Sequence, residues 1–234
     1  MLSRGLRRAP GDLYWNSVSL LLNCDGANGG TSFPDASKNG FVPTVYGTIA
    51  TSTTRAKFGN ASILCAANSR LNYAANSAFN ITGGNFCIEF WCYPTSAPSV
   101  QGVLIAQDDG IANGTCFQLK TYPTNKLNFT YWTTSSRGSY VEKNGNTALS
   151  NNVWTHVAVT WDGSTLRMFL NGALDASFAV SAMYSANFDM GIGNWARPTF
   201  SNPFVGNLDD IRITKGQTRY TAAFTPPSRP FPTH

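Results

Sequence analysis

Few residues in this chain of 234 could do acid–base or nucleophilic chemistry, and their spacing is poor for it. Retaining hydrolysis of a glycosidic bond needs two carboxyl groups roughly 5 Å apart, one to protonate the leaving oxygen and one to attack. The only glutamates, Glu89 and Glu142, are far apart in sequence. The adjacent acids Asp108-Asp109 and Asp209-Asp210 would diverge on a strand, where successive side chains leave opposite faces. There is no G-x-S-x-G nucleophile signature. Of the two histidines, His234 ends the chain and His156 falls mid-strand, where a packed, hydrogen-bonded structural role is expected. A pairing of His156 with a cysteine stays open at this level.

The five cysteines, Cys24, Cys65, Cys87, Cys92 and Cys116, are odd in number and contain no C-x-x-C, which argues against a structural zinc site. Cys87 and Cys92 sit on one predicted strand with opposite parity and cannot bridge each other. Buried free thiols are expected, in keeping with folding in a reducing compartment.

Recognition chemistry is better represented than catalysis. Aromatic faces can stack on the apolar sides of pyranose rings while arginine and amide groups bond the hydroxyls. Trp91, Tyr131, Trp132, Arg137, Trp195 and Arg197 fall on predicted outward faces or in loops and are the ligand-binding candidates. The competing reading assigns the same aromatics to a large core, and Trp154 and Trp161 belong to it outright.

These side chains need strands to carry them. From Val153 to Gly172 the sequence reads as one β-hairpin: Val157, Val159 and Trp161 alternate with polar or small residues, and so do Leu166, Met168 and Leu170. A turn over Asp162–Thr165 would oppose Trp161 to Leu166, Val159 to Met168 and Val157 to Leu170, all on one face. A slip of one residue would turn one apolar set away, so the register is strongly specified. Asn171-Gly172 signals a second tight turn. Phe86 to Tyr93 alternates Phe86, Ile88, Phe90 and Cys92 against Cys87, Glu89, Trp91 and Tyr93. More than ten short strands separated by turn residues, with no sustained helical periodicity, predict an all-β, two-sheet antiparallel jelly-roll sandwich.

The run W-T-H-V-A-V-T-W-D-G-S followed by L-R-M-F-L-N-G resembles the central hairpin of the laminin-G-like branch of the concanavalin A-like jelly-roll lectins. Leu20–Gly26, Lys57–Ser62, Phe86–Trp91 and Gly206–Ile213 match that pattern in order, across nearly the whole chain. The closing segment Thr214–Pro227 is similar to the ending of such domains in structural proteins of tailed bacteriophages. The resemblance implies recognition or assembly. The fold also houses β-glucanases, whose E-x-D-x-x-E or E-x-D-x-E strand is absent here. It further implies positions at which relatives hold a structural ion between the two chain ends, matched by Asp25, Asp209 and Asp210. Calcium is therefore a candidate, although two or three carboxylates must be completed to six to eight oxygens.

Charged residues make up 12% of the chain and the net charge is +5, of which Arg4, Arg7 and Arg8 contribute three units. That is not the basic stripe of a nucleic-acid binder, and no run reaches transmembrane length. Residues 1–16 are expected to form an arm whose Arg4, Arg7, Arg8, Tyr14 and Trp15 dock on a partner. Residues 17–215 are expected to form the lectin-like domain, and the Pro-rich 216–234 an extended tail. The combined expectation is a non-enzymatic surface protein of a tailed-phage virion, made in the host cytoplasm without a signal peptide. It would contact other virion proteins through arm and tail and bind host-surface or environmental glycans, with a homo-oligomer left open. The alternatives are a secreted carbohydrate-binding module or adhesin, and a degenerate glycosidase.

Overall fold

The computed structural model describes residues 11–108, 115–136, 138–196 and 202–233. Among them, fifteen strands pair into two sheets through antiparallel ladders. The first sheet runs β13 (Ala173–Ala179), β12 (Thr165–Leu170), β11 (Thr155–Trp161), β6 (Phe86–Pro94), β15 (Gly206–Lys215), β4 (Ser62–Cys65) and β3 (Ala50–Ser52). In it, β1 (Val18–Leu22) also pairs with β15. The second sheet runs β10 (Tyr140–Ala148), β9 (Lys126–Trp132), β8 (Thr115–Thr121), β7 (Gly102–Asp108), β14 (Met190–Ile192), β5 (Arg70–Tyr73) and β2 (Thr44–Tyr46). This is the two-sheet jelly-roll sandwich that the alternation predicts.

The central hairpin takes the expected register, with Trp161 opposite Leu166, Val159 opposite Met168 and Val157 opposite Leu170. Asp162 closes its turn by accepting the N–H groups of Ser164 at 3.0 Å and Thr165 at 2.8 Å. Asn171 and Gly172, at φ +48° and +78°, make the primed two-residue turn that leads from β12 into β13. Inward residues of the two sheets meet in one core, where Phe129 stacks on both Phe86 and Phe117 at 5.8 Å between ring centroids. Each such buried side chain contributes about 1.5–3 kcal/mol relative to exposure. The five cysteines are free and buried, as expected.

The outer face of the first sheet departs from expectation. The closing segment, expected to be an extended tail, is packed against it. Thr218 donates to Trp161 O at 2.7 Å, Phe224 N–H to Gly172 O at 2.9 Å, and Phe231 N–H to the Asp210 carboxylate at 3.0 Å. Tyr220 and Phe224 stack at 3.6 Å, and Phe224 meets Phe169 edge-on at 5.4 Å. Among the described residues no strand forms after β15, as the prolines dictate. The described part of the predicted arm is likewise held down. Trp15 packs on Val18, Leu21 and Phe231, and Asp12 bonds Arg212 and Arg219 at 2.8 Å. Tyr14 is half-exposed beneath the Arg219 guanidinium, 5.3 Å from its ring. Arg4, Arg7 and Arg8 lie outside the described residues.

Beneath the closing segment, Glu89 accepts Arg212 at 2.8 Å and Tyr220 at 2.8 Å, with Arg219 at 3.6 Å. Burial alone would raise this carboxyl, but Arg212 leads the neighbours that hold it at about 2. The network staples residue 12 and residues 219–220 to the middle of the sheet, which is why an acid appears among aromatics on β6.

Candidate functional site

On the second sheet, β8, β9 and β10 present a different outward set. Phe117 and Leu119 of β8 face the core, so the intervening Gln118 and Lys120 face out. Leu127, Phe129 and Tyr131 of β9 face the core and leave Thr130 and Trp132 outside. Tyr140 and Glu142 flank the inward Val141 on β10. Together with Gln101 and Tyr122 these residues line an open cleft of about 280 Å³. That is near the lower limit for small-ligand sites.

One wall is aromatic. Trp132 lies largely buried with its ring centroid 5.9 Å from that of Tyr140, which is 54% exposed at the rim. The floor is a hydrogen-bonded polar network. Lys120 Nζ donates to Gln118 Oε1 at 3.1 Å and sits 3.4 Å from Glu142 Oε1. Tyr122 and Thr130 also donate to Glu142 Oε1. Gln118 in turn donates to Asp108 at 2.7 Å. Burial opposes ionisation of Glu142, yet the Tyr122 hydroxyl and the Lys120 charge hold its carboxyl below the usual range. An apolar ring face beside fixed acceptors and a rim hydroxyl suits a polyhydroxylated ring, which has an apolar side and a polar edge.

The sequence candidates divide accordingly. Trp132 lines the cleft. Trp195 lies on the same outward face, packed on Val103 and Ala106 of β7 apart from the main core. Tyr131 is corrected: alternation on β9 turns it into the core. Trp91 is also corrected. It faces outward from the first sheet but is buried there, 5.2 Å from His156 and 5.8 Å from Phe58, with Lys57 Nζ 3.8 Å above its ring. Arg137 and Arg197 lie outside the described residues. Sequence reasoning missed Tyr122, Tyr140, Lys120, Gln118, Gln101 and Glu142. The signal available was the alternation of β8, where Lys120 and Gln118 interleave with Phe117 and Leu119.

A family model for the concanavalin A-like lectin/glucanases superfamily matches residues 68–218. The chain belongs to this superfamily. Among solved structures, this concanavalin A-like chain resembles one of botulinum neurotoxin type C, whose cell entry depends on interaction with two ganglioside molecules. That match has 16% identity and a TM-score of 0.67, covering 88% of this chain and 49% of that one. The binding domain of Paraclostridial Mosquitocidal Protein 1 is similar at 16% identity and TM-score 0.66, with 91% and 50% coverage. Domain 4 of AbnA, an extracellular arabinanase of Geobacillus stearothermophilus in complex with arabinotriose, is similar at 17% identity and TM-score 0.65, with 86% and 94% coverage. The chain thus spans about half the length of the two toxin chains and nearly all of the arabinanase domain. At these identities the likeness is one of fold. No curated protein matches the sequence.

In this superfamily member the two glutamates belong to outer faces of opposite sheets, with the core between them, and Glu89 is sealed from solvent. They cannot act as an acid pair. His156 is buried, 3.6 Å from Glu89 and edge-on to Phe224 at 5.7 Å. The expectation that it is packed holds, but neither ring nitrogen makes a hydrogen bond to a described partner.

The candidate calcium residues act as backbone caps. At Asp209-Asp210 the strand β15 changes partner from β4 to β1, with a bulge against β6 and Asp210 at φ +48°. Asp209 Oδ2 accepts the N–H groups of Lys57 at 2.7 Å and Phe58 at 3.2 Å, Asp210 accepts that of Phe231, and Asp25 accepts that of Asn60 at 2.6 Å. Burial pushes Asp209 up to about 7 and Asp210 up to about 8. Among the described residues, no three histidine, cysteine or acidic side chains gather as a metal site. With both oxygens of Asp209 and of Asp210 already accepting hydrogen bonds, this group fits a calcium ion poorly.

Proposed function

We propose that this domain is a non-catalytic glycan-binding module whose ligand face is the outer side of the second sheet, centred on Trp132, Tyr140 and Glu142. The carrying observation is the contrast between the two outer faces. On the first sheet the face is sealed by the chain's own closing segment, whereas the cleft on the second stays open and joins an aromatic wall to a fixed hydrogen-bonding floor. Support comes from two of the similar structures, one of a neurotoxin whose cell entry depends on interaction with two ganglioside molecules and one of a domain solved with arabinotriose. A glycan array screened with the intact domain and with Trp132→Ala tests the reading. Hits lost in the variant sustain it, and an array blank for both refutes it.

The setting is a second, finer part of the proposal. The resemblance of Thr214–Pro227 to the ends of tailed-phage structural domains favours a virion protein. The binding-domain and arabinanase relatives favour instead a carbohydrate-binding module or adhesin of a cell, and theirs is the stronger support. Mass spectrometry of purified particles against cell-surface and secreted fractions decides between them, with recovery in particles expected only under the first.

A further inference from the structure

We infer that the cleft on the second sheet accepts neutral glycans and discriminates against those carrying carboxylate or sulfate groups; this rests on its being a glycan site. The reason is which charge the cleft presents to a ligand. Its described charged residues are Lys120 and Glu142. The Lys120 side chain is 6% exposed, and its ammonium is already committed to Gln118 and Glu142. The Glu142 side chain is 35% exposed, so the ion that meets solvent is the carboxylate.

The two oxygens of that carboxylate differ. Lys120, Tyr122 and Thr130 all converge on Oε1, while Oε2 accepts from no described residue. The network therefore fixes the group in place and leaves its second oxygen able to accept from a ligand. A sugar hydroxyl is a donor and satisfies it with a charge-assisted hydrogen bond. A sialic acid, uronic acid or sulfate brings a second anion, with no uncommitted cation among the described lining residues to receive it. Such a like-charge contact is unfavourable, and salt weakens it. The Trp132–Tyr140 wall accepts the apolar face of either kind of ring, so selectivity falls to Glu142.

Paired probes test this by isothermal titration: a neutral galactosyl oligosaccharide against its sialylated counterpart, and an arabino-oligosaccharide against an oligogalacturonate, each at low and high salt. Where the neutral member binds, its acidic partner is expected to bind at least tenfold more weakly, with the gap narrowing in added salt. Glu142→Gln, shown by thermal melting to be folded, is expected to bring the two within about threefold. Trp132→Ala should abolish binding of both. If acidic members bind as tightly as neutral ones and Trp132→Ala still abolishes binding, the charge selectivity is wrong although the site is right. If Trp132→Ala changes nothing, or no probe binds, the site reading falls with it.

Discussion

Adjacent residues of one strand, Tyr131 and Trp132, show how the pleat decides chemistry. Tyr131 shares its parity with Leu127 and Phe129 and enters the core, so only Trp132 can meet a ligand. Replacing Trp132 by alanine should take glycan binding below detection on the array and in titration, a loss of at least about 1.4 kcal/mol. Trp91→Phe should leave binding unchanged while lowering the melting temperature, because Trp91 packs beneath Lys57 on the opposite sheet. This division of the aromatics was partly legible in the sequence, since the parity of β9 is set by its own apolar residues. The polar half of the cleft was not. On β10 the run Y-V-E-K-N-G-N-T-A has a single large inward residue, Val141, and only its pairing with β9 shows where Glu142 points.

Glu89 makes a sharper residue-scale case. Removing one partner from a buried ion-pair network costs about 3–5 kcal/mol, and Glu89→Gln should do so by leaving Arg212 and Arg219 short of a counter-charge. Because the Glu89 carboxyl is held at about 2, its contribution is present above its ordinary value of 4.5 and is lost as pH falls from there toward 2. Asp209 and Asp210 act in the opposite sense: raised to about 7 and about 8, they favour the folded state most below 3.8, and that advantage drains as pH climbs to those values. Melting temperature should accordingly peak in weak acid and decline on both sides, and Asp209→Asn should flatten the upper limb. A profile level from pH 5 to 8 in the unmodified domain would contradict these assignments.

At the scale of elements, the central hairpin was readable because two apolar alternations agree on one register. The closing segment was not, since residues 216–231 carry no periodicity that distinguishes a free extended tail from a packed strap. What marks the strap is its aromatics, Tyr220, Phe224 and Phe231, each seated on the first sheet's outer face or edge. A chain ended after Gly216 should expose Phe169, His156 and the Glu89 network, lose several kilocalories of stability and bind a hydrophobic dye. A gentler variant gives the same test locally. A methyl at Gly172 would sit 1.9 Å from Phe224 O, at a backbone φ of +78° that side chains rarely adopt. Gly172→Ala should therefore loosen the strap, read as faster amide exchange at Phe224. Unchanged exchange there would mean that the segment is not held as described.

For the molecule as a whole, one outer face is consumed by the chain's own ends, and the proposed ligand face is the other. A purely binding role predicts that incubation with arabinan or β-glucan releases no reducing ends. The most direct test is an amide chemical-shift titration with a neutral oligosaccharide taken from the array. Shifts should concentrate at Lys120, Tyr122, Trp132, Tyr140 and Glu142 and leave Glu89, Trp91 and Tyr220 still. Shifts centred on the first sheet or the closing segment, with the cleft unmoved, would contradict the assignment of the ligand face.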